Sequence, residues 1–165
     1  NAGVVATDTT GVGTGRYGLA ACEFGDDKAI FGFGYASGNV SMSNLVSNVG
    51  VVASDVTGVG TARSTPAACG FGYDKGIFGF GDGSVVSMTN LVSNAGVVAT
   101  DVTGVGTARK GLAATQYGGD KGIFGYGNTG SRVSMSNLVS NAGVVATDVT
   151  GVGTARYLLL ACSYN

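Results

Sequence analysis

Residues 27–34 read Asp-Lys-Ala-Ile-Phe-Gly-Phe-Gly, and close variants of this stretch recur at residues 74–81 and 120–127. Apolar residues stand at both alternate sets of positions in the run from Ala29 to Phe33. A half-buried strand alternates apolar with polar residues, whereas a strand that is apolar on both sides is covered on both faces. The stretch therefore predicts a short strand in a small sheet packed between two neighbouring sheets.

The whole chain is built from copies of one unit about 47 residues long. An Arg preceded by Thr and a small residue recurs at spacings of 47, 46 and 47 residues, at Arg16, Arg63, Arg109 and Arg156. Residues 88–109 match residues 135–156 at 21 of 22 positions, so nearly every position serves the scaffold. We expect a single repeat domain over residues 1–165. Its parts are a partial repeat (1–16), three full repeats (17–63, 64–109 and 110–156) and a second partial repeat (157–165).

Each repeat contains four short runs typical of β-strands, separated by clusters of Gly, Asn, Asp and Ser. In the first full repeat these runs are residues 18–24, 28–33, 40–46 and 50–54. The first run is built from small residues, such as Leu19 to Cys22, which suits a crowded inner position where sheets converge. We expect an all-β chain of tandem four-stranded antiparallel meanders, arranged as propeller-like blades. The alternative is a β-solenoid or another stacked-sheet fibre.

The order of features in one repeat resembles that of a kelch-type blade. The shared features are Arg16, a small-residue strand, the stretch 27–34, a glycine-containing loop, Asn44 to Val46 and residues 51–55. The resemblance implies β-propeller blades in which an Arg opens the inner strand and glycines close the second. The kelch Gly-Gly doublet is replaced here by Gly32-Phe33-Gly34, and the fourth-strand Trp is missing because the chain has no Trp. The near-identical repeats are also similar in style to those of long repetitive proteins of environmental phages and bacteria.

The composition argues against several classes of function. The 165 residues include 31 Gly and only 12% charged residues, and the net charge is −1. This balance gives no basic surface for nucleic acid or for an anionic membrane. The longest glycine-free stretches have 12 residues, such as residues 84–95, whereas a spanning helix needs about 20 apolar residues. We expect neither a nucleic-acid partner nor membrane insertion, and we favour an extracellular or virion-surface location.

The chain lacks the residues that catalysis and metal binding most often need. There is no His, so a Ser or Cys nucleophile has no imidazole partner and general acid-base chemistry has no suitable pair. No clustered set of Cys, His or carboxylates predicts a metal site. Residues 125–130 fit G-x-G-x-x-G, but a predicted strand follows instead of the helix that phosphate binding requires. We expect no enzyme activity and no cofactor.

The three cysteines occupy one position of the repeat. Cys22, Cys69 and Cys162 each follow a recurrent Arg by six residues, and Thr115 holds that place in the third full repeat. We expect them to pack as small buried hydrophobes. A disulfide or a reactive thiol is the alternative.

A recurrent Asp stands eight residues before each recurrent Arg. The pairs are Asp8 and Arg16, Asp55 and Arg63, Asp101 and Arg109, and Asp148 and Arg156. In a turn, a carboxylate can accept backbone N–H bonds while an Arg binds carbonyl groups or the carboxylate itself. We expect these residues to lock the turn between repeats, with each Arg largely buried. The alternative is a ring of Arg side chains that binds a ligand.

The positions that change between repeats define a candidate binding face. They lie in the loop after the second run and directly after the recurrent Arg, and a meander brings both loops to one face. The set is Tyr17, Tyr35, Asn39, Ser64, Asp82, Lys110, Asn128, Arg132 and Tyr157. Variation over an invariant frame is typical of binding loops on a rigid scaffold. We therefore expect a structural or recognition protein, and the alternative is a β-propeller that binds a carbohydrate or protein ligand. Asn39-Val40-Ser41 also fits an N-glycosylation sequon, for which chance is the simpler explanation.

The two partial repeats predict assembly. Propellers typically have four to eight blades, so three blades do not close a ring. Residues 3–7 and 158–162 belong to different incomplete blades, and open sheet edges pair with other chains. We expect self-association or continuation into further repeats of the same polypeptide.

Overall fold

The computed structural model describes residues 7–163 of the chain. Every regular element in that range is a β-strand, and the described residues include no α-helix, which confirms the all-β prediction. The nine strands are β1 (Ala20–Phe24), β2 (Lys28–Gly32), β3 (Ser43–Val46), β4 (Ala67–Phe71), β5 (Lys75–Gly81), β6 (Val86–Val92), β7 (Ala113–Tyr117), β8 (Lys121–Gly125) and β9 (Ser136–Val139). A helix long and apolar enough to cross a membrane does not occur between residues 7 and 163.

The strands form three separate three-stranded sheets, one in each full repeat. Sheet 1 contains β1 to β3, sheet 2 contains β4 to β6, and sheet 3 contains β7 to β9. Neighbouring strands are antiparallel and follow chain order, so the predicted meander is confirmed for the first three runs of each repeat. The register is the same in all three sheets, where Ile30, Ile77 and Ile123 each oppose the cysteine position of the first strand.

The prediction of four strands per sheet is not confirmed, because each sheet has three strands and the fourth run does not form a continuous ladder. In the first full repeat it contacts β3 through two isolated bridges, Ser43 with Val56 and Val46 with Val52. Three steps along β3 therefore correspond to four steps along the fourth run, and the extra residue interrupts the pairing as in a bulge. β3 also begins at Ser43 rather than at residue 40. The fourth-type run predicted at residues 3–7 lies outside the described residues, apart from Thr7.

Neighbouring sheets pack face to face, and the hydrophobic core lies at the two junctions between them. The junction of sheets 1 and 2 contains Cys22, Phe24, Ile30, Phe33, Phe78 and Val92. The junction of sheets 2 and 3 contains Ala67, Cys69, Phe71, Ile77, Phe80, Leu112, Phe124 and Val139. Sheet 2 is thus covered on both faces, as the apolar pattern of its second strand predicts.

Glycines in the second strands receive aromatic rings across these junctions. A Cβ at Gly32 would lie 2.6 Å from Cζ of Phe78, and a Cβ at Gly79 would lie 2.7 Å from Cζ of Phe124. Any side chain at these positions would displace a ring that is fully buried. The close approach of ring and backbone is therefore the reason for glycine in the middle of these strands.

The segments that lead into the first strands are linked from repeat to repeat. Thr65 N donates to Gly18 O at 2.6 Å, Gly111 N to Thr65 O at 3.3 Å, and Leu158 N to Gly111 O at 2.8 Å. An apolar groove of about 400 Å³ runs along these segments and is lined by the small residues of β1, β4 and β7. The described residues form an open series of three sheets, not a closed propeller. Residues 157–163, which would begin a fourth sheet, form no strand.

Candidate functional site

In each sheet, one arginine from the turn before the sheet binds three segments of the chain. In sheet 2 this residue is Arg63, which is fully buried. Its Nε donates to the carbonyl oxygen of Phe80 at 2.7 Å, and its Nη1 donates to that of Thr61 at 3.2 Å. Its Nη2 donates to Oδ1 of Asn90 at 2.7 Å. One side chain thus fixes the turn before sheet 2 to the end of β5 and to β6.

Asn90 extends the contact to the irregular fourth run. Its Nδ2 donates to Ala99 O at 3.0 Å and to Oδ1 of Asp101 at 2.9 Å. Oδ2 of Asp101 in turn accepts hydrogen bonds from Thr61 N at 2.9 Å and from Thr61 Oγ1 at 2.7 Å. The carboxylate also lies 3.9 Å from Nη1 of Arg63. We call this closed set the arginine network, and it holds the fourth run in place without a strand ladder.

The arginine network occurs three times. Its members are Thr14, Arg16, Asn44 and Asp55; Thr61, Arg63, Asn90 and Asp101; and Thr107, Arg109, Asn137 and Asp148. The Asp that meets each Arg stands 39, 38 and 39 residues after it along the chain, not eight residues before it. Two residues of the predicted Asp–Arg pairs, Asp8 and Arg156, belong to none of the three networks and lie near opposite ends of the described residues. Asp8 is exposed, and Arg156 Nη2 donates to Oη of Tyr126 at 3.1 Å.

The network carboxylates are held in their charged form. Hydrogen bonds from Asn44 and Thr14 hold the pKa of Asp55 below its ordinary value. Burial raises the pKa of Asp101, but hydrogen bonds from Thr61 and Asn90 outweigh burial, so that the pKa is lowered. Burial lowers the pKa of Arg63 to about 10 against the attraction of Asp101. Both partners are therefore ionised at neutral pH, and the network is an ion-pair lock rather than a proton-transfer pair.

Arg63 and Arg109 also contact an aromatic ring in or directly beside the sheet that precedes their own network. Cζ of Arg63 lies 4.0 Å from the ring centroid of Phe33, and Cζ of Arg109 lies 4.4 Å from that of Phe80. Phe80 thus accepts a hydrogen bond from Arg63 through its carbonyl oxygen while its ring contacts Arg109. Arg63 and Arg109 have no exposed surface and cannot reach a ligand in solvent. This geometry favours the turn-locking role over a ligand-binding ring of arginines.

The variable positions also come together, and they do so as pairs. Tyr17 and Tyr35 exchange two backbone hydrogen bonds, Tyr17 N to Tyr35 O at 3.0 Å and Tyr35 N to Tyr17 O at 2.8 Å. Ser64 pairs with Asp82 and Lys110 pairs with Asn128 through the same type of isolated bridge. The signal in the sequence is a constant spacing of 18 residues between the two members of each pair. Sequence reasoning placed these residues on one face but missed the pairing.

Side chains connect these pairs from repeat to repeat. Asn39 Nδ2 donates to Asp82 O at 3.3 Å, and Lys110 Nζ donates to Oδ2 of Asp82 at 2.7 Å. Farther along, Cζ of Arg132 lies 5.6 Å from the ring centroid of Tyr157. The nine variable residues therefore form one continuous strip, which we call the variable ladder. Its members are Tyr17, Tyr35, Asn39, Ser64, Asp82, Lys110, Asn128, Arg132 and Tyr157.

The amide of Asn39 is turned towards the protein. Its Nδ2 binds the backbone of Asp82, and its Oδ1 is buried without a hydrogen-bond partner among the described residues. A glycan attached at Nδ2 would break the contact with Asp82. The position of the amide therefore disfavours use of the sequon.

The cysteines do not share one environment. Cys22 and Cys69 are buried at the two junctions, whereas Cys162 is exposed, and all three are free thiols. Burial raises the pKa of Cys69 to about 12 and raises that of Cys22 as well. Between residues 7 and 163, no group of three or more His, Cys, Asp and Glu side chains is placed to hold a metal ion.

Comparisons with known proteins give no relative from which a role could be transferred. No family model matches the chain, and no curated protein is significantly similar to it. The function must therefore be argued from the arginine network and the variable ladder themselves.

Proposed function

We propose that this chain is a non-catalytic structural and recognition repeat protein, with kelch-like blades, on an extracellular or viral appendage. The observation that carries the proposal is the separation of two sets of residues. The arginine network is the same in all three units, and its centre is buried at Arg63, Arg109 and the three Asn residues. The variable ladder changes at every step and, apart from the buried Ser64, lies at the surface of that frame. Binding loops on a rigid scaffold have this distribution.

The frame suits a structural role because it is joined at several levels. Each junction has a hydrophobic core, a ring seated on a glycine, an arginine stacked on the preceding ring and a backbone link between repeats. Repeat proteins gain stability from contacts between nearest neighbours, so these links add with every repeat. Such a chain can hold its surface residues at fixed spacing.

The second candidate function is carbohydrate or protein binding on the variable ladder. The rings of Tyr17 and Tyr35 have centroids 5.3 Å apart, and 67% of Tyr17 is exposed. Tyr side chains combine a large apolar face with a polar hydroxyl, which favours their use at binding surfaces. The backbone and the carboxylate of Asp82 lie next along the ladder and offer hydrogen-bonding groups.

A glycan array tests the recognition role with a matched variant. In the variant Tyr17→Ser/Tyr35→Asp, the first pair of the ladder takes the residues of the second pair, Ser64 and Asp82. We expect the wild-type chain to bind a subset of glycans and the variant to lose that binding with an unchanged unfolding midpoint. Binding that survives the double substitution would contradict a glycan site at this pair. Hydrolysis of a bound oligosaccharide would contradict the non-catalytic assignment.

A further inference from the structure

The outer face of sheet 1 carries the ring, and the outer face of sheet 3 carries the glycine, that meet at each junction inside the chain. At the internal junctions, Phe78 is seated on Gly32 and Phe124 on Gly79, and both rings are fully buried. Phe31 is the equivalent ring of sheet 1, since it pairs with Asn44 as Phe78 pairs with Asn90. It points away from sheet 2 and is 36% exposed.

The matching seat lies on sheet 3. Gly125 pairs with Ser136, as Gly32 pairs with Ser43, so it is the equivalent of the two occupied glycines. A Cβ built at Gly125 meets no atom within 4 Å. Ile123 is half-buried, whereas its counterpart Ile77 is fully buried. Sheet 3 thus presents an unfilled seat on an uncovered apolar face.

We propose that sheet 1 of one copy of this chain packs on sheet 3 of a second copy in the register of the internal junctions, with Phe31 seated on Gly125. The inference deepens the structural role in the proposed function and rests on it. The occupant is a second copy because the contact continues an interface that the chain already makes twice. The contact joins two different faces, so it is heterologous and leads to a ring or a filament.

The facing residues beside this seat support the pairing. Inside the chain, Cys22 Sγ would lie 2.5 Å from a Cβ at Gly76, and Cys69 Sγ would lie 2.6 Å from a Cβ at Gly122. At the proposed junction the corresponding residues are Thr115 and Ala29, so both members of the pair differ together. A cysteine facing Ala29 would clash with the Cβ of Ala29. Thr115 avoids this clash in the rotamer that points the hydrogen on its own Cβ towards Ala29.

The junction can form only if the N-terminal segment of one copy displaces the equivalent C-terminal segment of the other. Residues 7–16 repeat residues 147–156 except at Thr9 and Gly15. Residues 7–22 of the second copy would therefore take the place of residues 147–162 of the first. Asp8 would then replace Asp148 at Arg109. Replacement of a segment by the equivalent segment of another copy, as in domain swapping, is a low-cost route to association.

The displaced segment is weakly held where it leaves the third sheet. Leu160 is 97% exposed and Leu158 is 67% exposed, and residues 157–163 form no strand. In the incoming copy, residues 20–23, the equivalents of residues 160–163, belong to β1, which is paired with β2 along its whole length. The exchange thus replaces residues 157–163, which form no strand, with the start of a complete sheet.

Light scattering after size-exclusion chromatography, over a range of chain concentrations, tests the assembly. We expect the average mass of the wild-type particle to exceed the mass of one chain and to grow with chain concentration. Phe31→Ser removes the ring, and Gly125→Leu fills the seat while pointing into open space. Each should raise the dissociation constant between chains at least tenfold, whereas Tyr73→Ser, in the exposed β4–β5 turn, should leave that constant unchanged. A monomer at every concentration, or an oligomer that neither Phe31→Ser nor Gly125→Leu weakens, would overturn the proposal.

Disulfide trapping tests the register independently of affinity. In a Cys162→Ser background, chains with Ala29→Cys are mixed with chains with Thr115→Cys under mild oxidation. We expect a disulfide-linked pair of chains, and none when Tyr73→Cys replaces Ala29→Cys. Absence of the Ala29–Thr115 cross-link would overturn the proposed register. A monomer that still binds glycans on the variable ladder would overturn this inference while leaving the recognition role intact.

Discussion

The guanidinium of Arg63 lies 4.0 Å above the ring of Phe33, which directly follows β2 of sheet 1. The same guanidinium binds Phe80 O and Asn90, both in sheet 2. One buried side chain is therefore shared between two repeats, through a cation–π contact on one side and charge-assisted hydrogen bonds on the other. Coupling between repeats in this fold depends on such shared side chains as well as on apolar packing.

Replacement of Asn90 by Ala is expected to destabilise the chain by about 2 to 3 kcal/mol, because a buried N–H of Arg63 loses its acceptor. The control is Asn94→Ala. Asn94 is exposed and binds only Asp74 at the surface, so its loss should cost about 0.5 kcal/mol or less. Urea unfolding followed by circular dichroism measures both. Equal losses would contradict the role of Asn90 in the network.

The glycine seats allow a comparison at one position of two repeats. Gly79→Ala is expected to cost about 1 to 3 kcal/mol, because the new Cβ would press on the buried ring of Phe124. Gly125→Ala places the same methyl group in open space and should leave the unfolding free energy within about 0.5 kcal/mol. The measurement is made at a concentration where the chain is monomeric. A larger loss at Gly125 would contradict the packing described for the two sheets.

Thiol reactivity should separate the three cysteines. Cys162 is exposed, whereas Cys22 and Cys69 are buried and burial raises the pKa of each. A thiol-specific reagent at neutral pH is expected to modify Cys162 within minutes and the other two only after unfolding. Mass spectrometry of the digested chain identifies the modified residues. Rapid modification of Cys69 in the folded chain would show that the junction of sheets 2 and 3 is open.

Low pH should destabilise the folded chain because it protonates the carboxylates of the arginine network. The pKa of Asp101 is lower in the folded chain than its ordinary value of 3.8, so the unfolded chain binds this proton first as the pH falls. The stability contributed by Asp101 is therefore complete above about pH 4 and is lost as the pH falls through the folded pKa. We expect the urea midpoint to fall as the pH is lowered below about 4, and to fall less steeply in Asp101→Asn. A steeper fall in that variant would contradict the assignment.

Local pattern predicted the first three strands because their signals are local. Alternation, small-residue runs and glycine positions gave β1 and β2 to within two residues at each end. The fourth run forms no strand because its apolar residues pair with β3 only at two points, and the extra residue between those points has no sequence signal of its own. Val51 is 63% exposed, so the apolar character of this run does not report burial.

The arginine network was only partly predictable for a related reason. The recurrent Asp nearest in sequence, eight residues before each Arg, is not the one that binds it, because the meander returns a later Asp to the start of the sheet. Asn44, Asn90 and Asn137 were missed altogether. Their signal was present, since Asn recurs directly before Leu-Val in the third strand of every sheet, and a polar residue that recurs in a packed strand needs a buried partner.

The most direct test of the account compares two neighbouring residues, Arg109 of the arginine network and Lys110 of the variable ladder. Arg109→Ala should cost about 3 kcal/mol, because it leaves Asn137 and two carbonyl groups without their donor. Lys110→Ser with Asn128→Asp copies the pair Ser64 and Asp82, and should change the unfolding free energy by less than about 1 kcal/mol, since the ion pair of Lys110 with Asp82 is exposed. The two free energies of unfolding in urea decide the matter. A large loss for Arg109→Ala beside a small change in the ladder variant is the expected result, and equal or reversed losses would contradict the division between an invariant frame and a variable surface.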